Sequence, residues 1–372
     1  MMPAGNWQRP AFYGHEKDRD QCMHRESVQV RTKVGIIDVS TLGGIELRGP
    51  DSAEFMNRIF CYTFLKQPVG KTRYAVLTNE QGVVIDDGVS CRISDEHFYV
   101  TATTSGVDNV YRDMMRWNTQ WRLDVDITNV TSAFSAVNLA GPDARKVLEL
   151  LVKDTDLSPE AFPYLAYREG QVVDIPARFL RVGFVGELAY EIHVPSRYGE
   201  ALWDVLLEAG RAFDIRPFGI ETQRLLRLEK GHIIVSQDTD SMSHPAELSL
   251  DWAVNRKKPF FVGRRSIDIL QAQPQTRKLV GFKLAKDFNI DDKPKEGHLV
   301  LADNHLTSKI TGNITSCEFS PTLDMIIGLA FVGIHQCAVG NTVYIKVDSG
   351  ALILADVVKL PFYDPDNLRQ QI

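Results

Sequence analysis

The chain has 372 residues, 44% of them hydrophobic and 24% charged, with a formal net charge of −6. Those proportions describe a globular protein of two or three domains, at roughly 100–200 residues each. The acidic balance argues against a nucleic-acid partner, and no apolar run approaches the ~18 residues that span a membrane.

Residues 1–35 are polar with isolated aromatics (Trp7, Phe12, Tyr13), and Glu26–Lys33 has a helical pattern. Nothing in the first twenty residues reads as a signal peptide, so a cytoplasmic location is expected. Gly35–Ser40 reads as a strand and turn. Ile45-Glu46-Leu47-Arg48-Gly49-Pro50-Asp51 then recurs 92 residues later as Val137-Asn138-Leu139-Ala140-Gly141-Pro142-Asp143. In both copies a strand ends at Gly-Pro, an Asp stands at the cap position, and an apolar helix face follows. A repeat of this kind predicts two related α+β lobes with a ligand cleft at their junction.

Within the first lobe, Tyr74–Leu77 reads as an apolar strand and Thr78–Gly82 as a hairpin connection. Val83-Val84-Ile85 starts the return strand, which runs straight into Asp86-Asp87. Strand alternation sends these two carboxylates to opposite faces, and an inward one in an apolar cavity has its pKa raised, as proton handling requires. Asp86-Asp87-Gly88 also fits a solvated turn. His97–Ala102 is a further strand, Val107–Trp117 an amphipathic helix, and Leu123–Val137 is strand-rich.

In the second lobe, Tyr190, Ile192 and Val194 alternate with Glu191 and His193, as on a half-buried strand whose polar face is solvated. Glu200–Phe213 and Glu221–Lys230 are helices, the latter ended by Gly231. From Lys278 the pattern changes to short strands (279–282, 310–315, 326–331, 342–347, 351–358), which predicts a small β-barrel with Lys286–Gly297 as a surface loop. Gly70-Lys71-Thr72 lacks the upstream Gly of a phosphate loop, and no Gly-x-Gly-x-x-Gly follows a strand, so no dinucleotide site is expected. Five widely spaced cysteines without a Cys-x-x-Cys pair predict reduced thiols and no metal.

The hairpin Gly70–Ser90, the segment Arg181–Ile192 and Leu226-Arg227-Leu228-Glu229 together resemble the glycine-cleavage T-protein (aminomethyltransferase) family. The likeness extends, over nearly the whole chain, to the C-terminal folate-binding half of the α subunit of heterotetrameric sarcosine oxidase. It implies an α+β, three-domain cloverleaf: lobes at 1–135 and 136–275, a β-barrel at 276–372, and tetrahydrofolate in the central hole. It further implies that Asp87 is the catalytic carboxylate beside the folate nitrogen that takes up the one-carbon unit, with Tyr74 lining the folate. Glu191 would grip the pterin ring, Phe184 and Leu42 would lie against the ligand, and Thr103 stands where T-proteins place a folate-contacting Asn. Phe184 and Leu42 fit ordinary core packing equally well. Gln223 replaces the family's Arg for the folate tail. The implied activity is one-carbon transfer to 5,10-methylenetetrahydrofolate, from a lipoyl carrier protein or from an imine made by a flavoprotein subunit. A non-catalytic folate-binding regulatory protein and a folate-dependent O- or S-demethylase share the same implied pocket.

Overall fold

The computed structural model describes residues 1–284, 292–305 and 307–372. Half of the expected loop at Lys286–Gly297, residues 286–291, therefore lies outside the described residues.

The chain opens with a short hairpin, β1 (Met2–Ala4) and β2 (Trp7–Arg9), followed by α1 (Arg19–Thr32) and β3 (Gly35–Asp38). Helix α1 begins well before the segment expected from the sequence. Its inward residues (Cys22, Met23, Glu26, Ser27, Val30, Arg31) keep the helical period but include three polar ones, so an apolar stripe is not visible in the sequence. Glu26 is buried because it has partners: its carboxylate accepts the N–H groups of Tyr13 (2.6 Å) and Gly219 (2.9 Å) and the Thr222 hydroxyl (2.6 Å).

The first lobe comprises β4 (Gly43–Arg48), α2 (Ser52–Ile59), β5 (Thr72–Thr78), β6 (Val84–Ser94), β7 (His97–Ala102), α3 (Val107–Trp121) and β8 (Asp126–Asn129). Its five strands lie in the order β5-β6-β7-β4-β8. One sheet face (Ile45, Leu47, Ala75, Leu77, Phe98, Val100) packs under the apolar faces of α2 and α3. The second lobe comprises β9 (Phe134–Ala140), α4 (Ala144–Leu151), β10 (Tyr167–Val172), β11 (Ile175–Leu180), β12 (Ala189–Pro195), α5 (Gly199–Gly210), β13 (Arg216–Pro217) and α6 (Ile220–Glu229). Its sheet runs β10-β11-β12-β9-β3-β13, so the start of the chain is woven into the second lobe beside β9.

The Gly-Pro-Asp repeat makes the same strand-to-helix corner twice. Gly49 (φ 134°) and Gly141 (φ 127°) sit where a Cβ would strike the carbonyls of Asp124 and Lys33, at 2.4 and 2.3 Å, so only glycine fits. The two aspartates hold cap positions, but their carboxylates bond elsewhere, to the Asp124 N–H (2.8 Å) and the Lys146 ammonium (2.8 Å). Neither makes a side-chain cap bond, because each carboxylate is engaged by that other partner.

After α7 (Arg264–Ala272) the strands β14 (Arg277–Leu284), β15 (Leu299–Leu301), β16 (Ile310–Ser320), β17 (Met325–Gly333), β18 (Thr342–Lys346) and β19 (Leu352–Val358) close into a barrel in the order β14-β17-β16-β15-β18-β19; α8 (Leu368–Gln371) ends the chain. The barrel has one strand more than the sequence pattern shows, since three residues are too few for a period. Two buried ionic clusters join it to the lobes. Arg227 of α6 pairs with Asp238, whose other oxygen accepts the hydroxyls of Thr315 (2.6 Å) and Ser316 (2.7 Å) of β16. Arg31 of α1 bonds Glu187 (3.1 Å) and Glu229 (2.6 Å), Ser320 donates to Glu229, and Tyr363 donates to Glu187.

Candidate functional site

Strand β6 gives one residue to each side of the first sheet at its carboxylate pair. Asp86 lies opposite Leu77 and faces the helical layer, while Asp87 lies opposite Val76 and faces the middle of the molecule. Asp86 is 2% exposed and fully engaged: it accepts the Thr103 N–H (3.0 Å), the Thr103 hydroxyl (2.9 Å) and the Asp87 N–H (2.7 Å). It thereby fixes the turn that starts α3, with its charge at a helix N-terminus. Burial pushes its carboxyl up to about 7, against the Thr103 bonds and with the Asp87 charge adding to the rise.

Asp87 is held differently. Tyr74, diagonally across the hairpin, donates its hydroxyl to Asp87 Oδ2 at 2.6 Å, and Oδ1 has no hydrogen-bond partner among the described residues. Burial lifts the Asp87 carboxyl to about 6, with the Tyr74 bond pulling it back down. Burial and the neighbouring carboxylates keep the Tyr74 phenol protonated far above its usual range. Trp252 stacks on Tyr74 with ring centroids 5.5 Å apart at 24°, and it is 65% exposed. Asp87 thus lies beneath an aromatic pair that opens to solvent.

The same sheet face continues through Val89 and Cys91 to Tyr99, where it packs against Leu180, Val182 and Tyr167 of the second lobe. Across this junction stands Glu191 in β12. The strand is buried on both faces, because Tyr190, Ile192 and Val194 enter the lobe core while Glu191 and His193 look toward the first sheet. The solvated polar face expected from the sequence is therefore covered. His193, buried to 3%, links Tyr99 to Glu191: its Nδ1 lies 3.4 Å from the Tyr99 hydroxyl and its Nε2 lies 2.7 Å from Glu191 Oε1. With Nε2 as donor, Glu191 Oε2 is left without a partner among the described residues. A carboxylate on each of the two inner sheet faces, with one free oxygen, suits a ligand that brings its own N–H groups.

The other residues singled out by sequence have different surroundings, and Thr103 lies with Asp86 on the helical side of the first sheet rather than at this junction. Leu42 is half-buried against Val39, Val185 and Phe218. The Phe184 ring stacks on His232 (5.5 Å, 23°), whose Nδ1 approaches the Phe184 carbonyl at 2.9 Å and whose pKa burial lowers to about 4. Thr103 spends both its N–H and its hydroxyl on Asp86. Gln223 is half-buried on α6. No group of three or more His, Cys, Asp or Glu side chains among the described residues is placed to hold a metal ion, and no helix among them is long and apolar enough to cross a membrane.

Asp86 gives a test of these assignments through pH. Its folded-state pKa is raised above the unfolded value near 4, so its contribution to stability is full at low pH and is lost as pH rises toward about 7. Asp86→Asn keeps an acceptor for the two N–H groups and a donor for the Thr103 oxygen without that charge. Urea unfolding should therefore show wild type losing ground to Asp86→Asn between pH 5 and pH 8; a constant difference would mean that Asp86 does not titrate in this window.

The chain is a mixed α+β molecule of two related lobes and a closing barrel, with Asp87 on the inner face of the first sheet and Glu191 on the face of the second that meets it. Residues 1–258 match the family model described as the GCVT N-terminal domain, and residues 277–364 match the glycine cleavage T-protein C-terminal barrel domain. The chain belongs to the glycine cleavage T-protein family. It is 36% identical over 375 residues to the sarcosine oxidase α subunit of Corynebacterium sp. strain U-96, covering 99% of this chain but 38% of that protein. It is 30% identical over 364 residues to the aminomethyltransferase of Thermotoga petrophila, covering 98% of this chain and 93% of that protein. The chain thus spans well under half the length of the sarcosine oxidase subunits it matches. The solved aminomethyltransferase T of the Bartonella henselae glycine cleavage system shares the fold, with a TM-score of 0.83 over 96% of this chain and 92% of that chain at 24% identity.

Proposed function

We propose that this chain transfers a one-carbon unit from an aminomethyl or imine donor to tetrahydrofolate, giving 5,10-methylenetetrahydrofolate. The observation that carries the reading is the Tyr74–Asp87 pair facing the lobe junction, with a carboxyl raised to about 6 and one oxygen free. Family membership supports the reaction class, and the identity to sarcosine oxidase α subunits over nearly the whole chain favours an imine made by a separate flavin-bearing subunit as donor.

The residues present suit such a ligand. Glu191, oriented by His193, keeps an acceptor for the parallel N–H groups of a 2-amino-4-oxo pyrimidine edge. Bound folate supplies two nucleophilic nitrogens, each carrying an N–H. As the carbon of a protonated imine (an iminium) exchanges its two bonds to the donor nitrogen for one bond to each folate nitrogen, two protons must leave. One converts the donor nitrogen to a neutral departing amine, and Asp87 accepts the other on its free oxygen. A carboxyl near 6 is largely ionised at neutral pH yet basic enough to hold that proton in passing. The Tyr74 hydroxyl fixes the carboxylate plane while the Trp252–Tyr74 stack covers it.

Titration calorimetry with tetrahydrofolate tests the binding half, and absence of binding by the wild type would sink the reading. Glu191→Gln should weaken affinity by more than tenfold, since one charge-assisted contact in a closed site is worth about 1.5–3 kcal/mol. Unchanged affinity would remove Glu191 from the site.

A further inference from the structure

The sheet face that carries Glu191 holds another polar group that the protein itself leaves unanswered. Asn138 in β9 is paired directly with Glu191 of β12 on one side and with Ile37 of β3 on the other. Directly paired residues of antiparallel strands put their side chains on one face, with Cβ atoms about 4.5–5.5 Å apart. Asn138 is 6% exposed, no hydrogen bond among the described residues reaches its carboxamide, and its polar atoms are not closed off from water. The surroundings on that face are apolar: Ile37, Ala140, Ala189 and Val185, with Leu42 at the edge. Its strand neighbours Val137 and Leu139 fill the lobe core on the other face, so packing places no demand for an amide at 138. An amide in an apolar setting that the protein itself does not bond, yet that a small molecule can reach, is free to be completed by a ligand or an ordered water.

A carboxylate offers acceptors only, whereas a carboxamide adds two donors and one acceptor. Side by side on neighbouring strands they complement a flat edge that reads N–H, N–H, C=O. We propose that Asn138 is a specificity-determining ligand contact that donates its amide N–H to the 4-oxo oxygen of a 2-amino-4-oxo pteridine whose two N–H groups are held by Glu191. The inference rests on the folate reading of the site and adds to it a residue that selects the oxo form. It also explains why a buried face of a central strand keeps an amide where Val or Ala would pack without cost.

Two variants and two ligands test it. Asn138→Leu, which keeps the branched shape but is bulkier and has no polar atoms, should leave the ligand-free protein as stable to urea as wild type or more so, while weakening tetrahydrofolate about tenfold in calorimetry. Asn138→Asp replaces the donors with acceptors, and should shift the preference between tetrahydrofolate and its 4-amino analogue about tenfold toward the analogue. A structural role would instead lower stability and affinity together and leave the 4-oxo over 4-amino preference of Asn138→Asp at the wild-type ratio; that pattern overturns the proposal. If Asn138→Leu fails to fold, the ratio in Asn138→Asp decides alone. Glu191→Gln separates the two levels. Weaker folate binding in Glu191→Gln with unchanged binding and preference in the Asn138 variants rejects Asn138 only, whereas absence of tetrahydrofolate binding by the wild type rejects the folate reading and this inference with it.

Discussion

Asp87→Asn should leave tetrahydrofolate affinity within a few-fold of wild type while slowing formation of the methylene product by about 10²-fold or more, the usual scale for general acid–base catalysis. The asparagine keeps the size of the side chain and an oxygen for the Tyr74 hydroxyl, which now holds Asp87 Oδ2 at 2.6 Å. What it loses is the charge and the capacity to take a proton. Single-turnover measurements with an iminium donor, or with formaldehyde and an amine after subtraction of the uncatalysed condensation, report the difference. The pH profile adds a second readout: the wild-type rate should rise as the Asp87 carboxyl ionises through about 6, and the Asn variant should show no such rise. Equal rates for both proteins would remove Asp87 from the mechanism and favour a binding protein without turnover. Asp86→Asn is no silent control here, because Asp86 fixes the Thr103 turn behind the same strand.

The legible part of this site was the part written in local patterns. The hairpin, the carboxylate pair at its return strand and the Gly-Pro-Asp repeat all depend on neighbours a few residues away. So the strands around Asp87 and Tyr74 follow directly from spacing and turn residues. The burial of Asp86 did not, since its partner Thr103 stands 17 positions on, in the turn that starts α3. Glu191 and His193 read as a solvated face because alternation reports one buried side of a strand and says nothing about a second lobe covering the other. His193 and Asn138 gain their meaning only from strand pairing, which sets each beside or against Glu191. The N-terminal β3 was recognisable as a strand, yet its place in the second sheet is a matter of long-range pairing that no local period encodes. Leu-Arg-Leu-Glu at 226–229 was visible as a family likeness; that its Arg and Glu are buried ions joining lobes to barrel depends on Ser316 and Ser320, some 90 residues later.

That junction carries the largest expected effect on stability. Asp238 is fully buried, accepts the Ile234 N–H (2.9 Å) as well as the Thr315 and Ser316 hydroxyls, and neutralises Arg227, which is 1% exposed. Arg227 in turn donates to the His232 carbonyl (2.9 Å) and to the Ser316 hydroxyl (2.7 Å). Asp238→Ala therefore strands a guanidinium in a site closed to water and removes the acceptor of two barrel hydroxyls at once. Breaking one partner of a buried pair typically costs about 3–5 kcal/mol, a large share of the roughly 5–15 kcal/mol that holds a protein folded. The expected result in urea is a much lower midpoint, because the barrel loses one of its polar links to α6, the Ser320–Glu229 bond remaining, while its own core of Phe282, Ile314 and Ala330 is untouched. Removing both charges together, as Arg227→Met with Asp238→Leu, should recover most of the loss, since an apolar pair of similar volume leaves no buried charge unanswered. A wild-type midpoint for Asp238→Ala would show that the ion pair does not join α6 to the barrel, and failure of the double variant to recover would place the loss in the barrel hydroxyls rather than in the stranded Arg227.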